Sequence, residues 1–396
     1  MPSSPLAAGC ETSSETPVRP RDLLDYTPEE LRDRLTAWGE PSYRARQVLH
    51  WVYRRLATSY EAMTDLPTAL RARLRAQLPL HVPEVAAEVV SPDGDTCKAL
   101  LRLHDGVTVE TVLMRYPATE HGRARNTVCV STQAGCAMAC VFCATGQQGF
   151  VRNLSAGEIV AQVLHFAREL AVEGERVTNL VFMGMGEPLA NYTQTLRAVR
   201  ALQHPEQFGL GARHMTLSTV GLVPAIRKLA TEGLQVGLAL SLHAPDDELR
   251  RVLVPTARFT IAEMLAAAQE WSDATGRRFS VEYVLIDGVN DSVEQARRLA
   301  ERLRGLRCRV NLIPLNPTAN PVIRRSRRAR VLAFERELRE RGITCTVRVE
   351  KGVDIAAGCG QLRGAVEGRH PPAAAPLHPA REGRAASGQI PSTVSV

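Results

Sequence analysis

Gly135-Cys136-Ala137-Met138-Ala139-Cys140-Val141-Phe142-Cys143 carries three cysteines spaced C-x-x-x-C-x-x-C, three thiolates where an iron-sulfur cube takes four. One iron of a 4Fe-4S cluster is then left open. The chelator that suits it is the amino and carboxylate pair of S-adenosylmethionine, and an electron passed into the bound sulfonium would release a carbon radical. The competing reading is a structural zinc, which wants four closed ligands. Its fourth would be Cys129, at gaps unlike the paired C-x-x-C knuckles of zinc ribbons. Phe142 suits either ordinary packing or a place against the adenine of the ligand.

Outward from this loop, short β-branched runs alternate with amphipathic helical stretches from Asn126 onward. The runs are Thr127 to Ser131, Val177 to Met183, His214 to Ser218, Val236 to Leu242, Phe279 to Ile286, Arg309 to Ile313 and Ile343 to Val349. Alternation of this kind predicts βα units and a parallel sheet, hence an α/β fold: a partial (β/α)6 TIM-like barrel with its chemistry at the C-terminal rim. Ser155-Ala156-Gly157-Glu158 reads as a capping box that opens a helix through Ile159, Val163, Phe166 and Leu170.

Upstream, Thr27-Pro28-Glu29-Glu30 is a second capping box, and Ala45, Val48, Leu49, Val52 and Leu56 share one helical face. Residues 20–82 are expected to form a small helical accessory domain. Its Arg44, Arg46, Arg54 and Arg55 fit either a solvated face or an RNA-binding one. Alternating stretches between Val82 and Arg125 predict a β connector over 83–125. The core is expected over 126–364, a disordered lead over 1–19, and a disordered Pro- and Ala-rich tail over 365–396.

The formal charge is +7 with pI about 9.1, and Lys occurs only at Lys98, Lys228 and Lys351. An arginine excess suits an anionic partner such as RNA, although GC-rich coding yields the same bias. Nine scattered cysteines do not form a secreted disulfide framework, so a reducing cytoplasm is expected. No apolar run approaches about 18 residues, which excludes a membrane-spanning helix.

Several polar residues fall where strands end. Gly184-Met185-Gly186-Glu187-Pro188-Leu189 is a tight turn whose Glu187 either grips an ammonium or faces water. Ser218, Ser241-Leu242-His243 and Asn316 are strand-end caps or ligand contacts. Cys129 lies in an expected core strand, where a buried small hydrophobe is the plain reading. Cys359, between Gly358 and Gly360, belongs to a loop and can act as an exposed, reactive thiolate.

Asn126 to Cys136, the cysteine loop, Gln147 to Leu154, the Gly184 to Leu189 turn with Asn191-Tyr192, and Asp354 to Leu362 together resemble the RlmN radical-SAM RNA methyltransferases. The resemblance runs from about Asp22 to Gly364. Enzymes similar to this one methylate carbon 2 of an adenosine in the peptidyl-transferase centre of 23S rRNA, and many also modify the adenosine beside the anticodon of certain tRNAs. It implies one 4Fe-4S cluster on Cys136, Cys140 and Cys143, with S-adenosylmethionine among Gly186, Glu187, Ser218, Ser241, Leu242, His243 and Asn316. It makes Cys359 the methyl carrier, Glu110 a proton acceptor and Cys129 the resolving thiol that leaves a transient disulfide. A monomer served by an electron donor such as flavodoxin or ferredoxin is implied as well. Lys351 stands where the family commonly has Arg, and Gly358 where Ala is common. The nearest rival is the Cfr-type sibling, which acts on carbon 8. A radical-SAM enzyme for a small molecule would not need Cys129 and Cys359, and a non-catalytic iron-sulfur RNA-binding module would not need the Gly184 to Leu189 turn.

Overall fold

A computed structural model describes residues 21–120, 123–316, 323–348, 351–358 and 361. The expected lead and tail, and Cys359 itself, lie outside the described residues.

Three helices, Pro28–Thr36, Tyr43–Tyr53 and Thr68–Gln77, open the chain. The first begins as its capping box requires: Thr27 Oγ1 accepts the Glu30 N–H at 3.1 Å while the Glu30 carboxylate accepts the Thr27 N–H at 2.9 Å. Among the described residues twelve strands follow: β1 (Glu84–Val90), β2 (Thr96–Arg102), β3 (Thr108–Tyr116), β4 (Arg125–Cys129), β5 (Gln133–Gly135), β6 (Phe150–Asn153), β7 (Asn179–Phe182), β8 (Met215–Thr219), β9 (Gly237–Ser241), β10 (Phe279–Leu285), β11 (Cys308–Pro314) and β12 (Cys345–Val347).

Ten of these make one sheet in the order β1-β2-β3-β4-β7-β8-β9-β10-β11-β12. Pairing is antiparallel from β1 to β4 and parallel from β4 to β12. The parallel run is the wall of a partial barrel, with helices as crossovers, and β1–β3 extend it as an antiparallel flap. The order is linear, so the wall is open. All seven anticipated strands form within a few residues of their expected ends. β10 is buried at every position, as befits a strand covered on both faces.

The helix Ala156–Val172 carries the second reciprocal cap, between Ser155 and Glu158. Asp25, from the N-terminal region, accepts the Gly157 N–H in its first turn at 2.6 Å, where a carboxylate complements the helix dipole. One apolar core runs continuously from Leu23 through the barrel to Ala357, so the three N-terminal helices pack onto the barrel without a break in the core. A smaller apolar cluster of Cys140, Phe142, Leu253, Val254, Val284, Ile286 and Ile313 lies beneath the cysteine loop. No helix among the described residues is long and apolar enough to cross a membrane.

Candidate active site

The cysteine loop hangs from a neck that pattern reading did not anticipate. β5 and β6 pair antiparallel with Gln133 opposite Asn153, and their side chains bond at 2.8 Å. The Cys136 N–H donates to Gly149 O at 2.8 Å, closing the loop at its base. A short helix, Ala144–Gln148, starts directly after Cys143.

The three cysteines face one cavity together with Gly186, Glu187, Ser218, Ser241, His243 and Asn316. Each non-cysteine member comes from the C-terminal end of a parallel strand or from the turn beyond it, the rim the barrel reading pointed to. Leu242 is fully buried just behind this wall.

Burial pushes the Cys136 thiol up to about 12 and Cys140 well above the ordinary range, and each is raised further by the Cys143 sulfur. Three thiolates within electrostatic reach are disfavoured until a cation stands among them. Zinc is a poor fit. Sulfurs about 2.3 Å from one ion lie about 4 Å apart, whereas the only trio of described ligand atoms all within 4.8 Å of one another is Glu88, His165 and Glu169. A wider, three-cornered anchorage open on the cavity side suits a cluster with one exchangeable iron.

Glu187 is wholly buried, which removes the water-facing reading. Its Oε2 accepts the Val220 N–H at 2.8 Å and its Oε1 the Leu189 N–H at 3.0 Å. Desolvation nevertheless lifts its carboxyl to about 7, so an ammonium arriving in the cavity would meet a carboxylate that ionises to receive it. Gly186 makes the turn possible: its φ is +99°, and a Cβ there would stand 2.5 Å from Gln133 Cβ.

His243 has a left-handed φ of 63°, a strained conformation that clusters at functional sites. Its Nδ1 accepts the Val284 N–H at 3.2 Å, which leaves the proton on Nε2. Burial and then the Arg250 charge press its pKa down to about 3, so the ring stays neutral. Phe142 packs edge-on against it, with centroids 4.8 Å apart. Ser218 and Ser241 hydroxyls lie 3.2 Å apart on neighbouring strands.

Glu282 was not singled out from the sequence, yet it lines the cavity from β10 and is buried. Its Oε1 accepts from Ser280 at 2.9 Å and from Asn311 at 2.8 Å, while its Oε2 has no partner. The signal was a lone charge inside the apolar run Phe279 to Leu285.

Besides Leu242, two further residues assigned by resemblance stand outside the cavity wall. Cys129 ends β4, buried in the core between Val112 and Val181. Glu110 is buried in β3 with Lys98 Nζ 3.1 Å from its carboxylate. Cys359 is not described, but its neighbour Gly358 is: a Cβ there would lie 2.7 Å from Asn316 Nδ2. Glycine therefore lets this loop close onto the cavity wall where alanine would require a shift. Lys351 pairs with Asp95, and Lys98 donates to Ala356 O at 3.3 Å, so two of the three lysines moor the loop to the flap.

A parallel-stranded partial barrel with an open-sided trio of thiols at its rim defines a radical-SAM enzyme. The sequence pattern of the radical SAM superfamily matches residues 130–303, and that of the ribosomal RNA large subunit methyltransferase N-terminal domain matches residues 21–79. "Ribosomal RNA large subunit methyltransferase N" of Nitrosopumilus maritimus is 51% identical over 345 residues, 86% of this chain and 98% of that one. The "probable dual-specificity RNA methyltransferase RlmN" of Chloroflexus aurantiacus is 52% identical over 356 residues, 87% of this chain and 93% of that one. A crystal structure of a radical SAM methyltransferase from Sphaerobacter thermophilus superposes with TM-score 0.84 at 54% identity, covering 87% of this chain and 99% of that one. The chain belongs to the RlmN family of radical-SAM methyltransferases.

Proposed function

We propose that this chain methylates carbon 2 of an adenosine in the peptidyl-transferase centre of 23S rRNA, and the adenosine beside the anticodon of tRNA. When bound, the cluster and S-adenosylmethionine supply the carbon radical that an electrophilic ring carbon requires, because ordinary methyl transfer needs a nucleophile. Glu187 receives the ammonium of S-adenosylmethionine, and neutral His243, Ser218, Ser241 and Asn316 contact the rest of it. The Cys359 thiolate takes a methyl by displacement and carries it to the base. Glu110 accepts the proton that leaves carbon 2. Cys129 would then attack the Cys359 sulfur, breaking its bond to the base-bound carbon; that carbon takes up a proton as the methylated base leaves, the one surplus electron would pass back to the cluster, and the disulfide that remains is reduced by an outside thiol. The target adenine has to leave its stack to reach the rim.

One observation supports this reading above the others. The three thiols, the buried Glu187 and Asn316, whose amide would meet a Cβ on the residue before Cys359, all line a single cavity. The test is mass spectrometry of rRNA and tRNA from a host lacking its own enzyme, with and without this gene. Methyl on carbon 2 of both RNAs is the expected result. Methyl on carbon 8 would assign the chain to the Cfr-type chemistry, and no new methyl on either RNA would overturn the reading.

A further inference from the structure

Arg250, in the helix Asp247–Leu253, is the most deeply buried guanidinium among the described residues, 1% exposed. Its Nη2 donates to Val220 O, its Nε lies 3.3 Å from Met264 Sδ, and its Nη1 is buried with no partner. Among the described residues no carboxylate comes within ion-pair distance of it. Buried charges are ordinarily paired, because removing one from water costs several kcal/mol. Either the fold tolerates that cost or a negative charge absent from the bare chain arrives beside it.

The helix points to the second case. It lies against the cysteine loop: Val141 N–H donates to Leu253 O at 3.1 Å, and beyond the helix Thr256 Oγ1 donates to Met138 O at 2.8 Å. Arg250 and Cys140 are each within the other's electrostatic reach. Burial pulls the guanidinium down to about 10 even though Cys140 and Asp247 oppose it. Loading a cluster turns three neutral thiols into three thiolates and gives this corner a net negative charge.

We propose that Arg250 is the built-in counter-charge of the cluster: it offsets the charge of the thiolate-bound cube and favours its one-electron-reduced state. The proposal rests on the cysteine trio holding that cluster. A fixed positive charge beside a redox centre stabilises the more negative form, so it raises the midpoint potential. The same charge is a burden to the cluster-free protein. The two consequences have opposite signs, which a purely packing role would not produce.

The experiment compares full-length wild type, Arg250→Met and Arg250→Lys. Each is reconstituted anaerobically, assayed for iron, and titrated with dithionite through mediator dyes while the reduced-cluster EPR signal is followed. Thermal unfolding is recorded before reconstitution. Arg250→Met should lower the equilibrium constant for reduction at least tenfold, about 59 mV for one electron, while the cluster-free protein melts no lower than wild type. Arg250→Lys should recover most of the potential. If Arg250→Met loads no iron, Arg250→Gln takes its place, and a lysine variant that loads no better than the neutral ones overturns the proposal. A neutral variant with wild-type potential also overturns it. Wild type that binds no iron would instead undo the cluster assignment itself.

Discussion

The Glu187 carboxylate accepts the Val220 backbone N–H at 2.8 Å, and the Val220 carbonyl in turn accepts from Arg250. A single residue, Val220, thus joins the acid facing the ligand to the cation beside the cysteine loop. The hydrogen bonds favour the ionised carboxylate, but burial outweighs them and the pKa sits at about 7.

The sign of the resulting pH dependence follows from this raised value. A carboxyl whose folded pKa exceeds its unfolded one contributes stability that is fully present below about 4.3 and is lost as pH rises through about 7. The ligand-free protein should therefore melt at lower temperature at pH 8 than at pH 6, and Glu187→Gln should flatten that difference. Binding of S-adenosylmethionine should show the opposite trend, weakening below about pH 7 as the carboxyl takes up a proton. Calorimetry at both pH values checks this, and equal affinities at pH 6 and 8 would contradict it.

Cys140→Ala leaves two thiolates on the loop. Reconstituted protein should lose the iron of its cluster and fall to background in both S-adenosylmethionine cleavage and RNA methylation. Iron analysis and visible absorption decide the matter; full iron with normal turnover would sink the assignment.

At Gly186, alanine has to adopt φ +99° and push against Gln133. Strain of this kind costs about 1–3 kcal/mol, and the movement would carry Glu187 with it. The expected outcome is a lower melting temperature together with a weaker S-adenosylmethionine complex, measured by differential scanning calorimetry and equilibrium dialysis. An unaltered affinity would show that the turn does not set the position of Glu187.

The two thiol roles separate on a denaturing gel. Cys359→Ala should carry no S-methyl group and form no RNA adduct. Cys129→Ala should still be methylated and still add to the base, then stall as a covalent protein-RNA complex. Normal turnover by Cys129→Ala would return that residue to the role its surroundings in β4 already permit, a core side chain.

Much of this is legible in the sequence, and the reason differs from element to element. The reciprocal caps at Thr27 and Ser155 are local interactions written within four residues, so they read directly. The barrel strands are long enough for β-branched composition to stand out. β5 and β6 are three and four residues long, too short for any period to emerge, and they form only because the loop brings them together. Whether Glu187 met water or protein depended on the packing of β7 against β4 and β8, which no local pattern encodes. Arg250 looked like one arginine in a chain rich in them. Its exceptional character lies in what surrounds it.

The β5–β6 neck ties residues 133–153 into a ring through its own hydrogen bonds, none of which uses a thiol of the loop. Closing a flexible loop of this length costs about 2–3 kcal/mol of chain entropy, and the neck's own pairing offsets that cost without calling on the cluster ligands. Cluster insertion is then closer to setting a stone in a finished mount than to gathering three loose ends. Cluster loss and chain unfolding should accordingly be separate events, leaving an emptied protein that can be refilled.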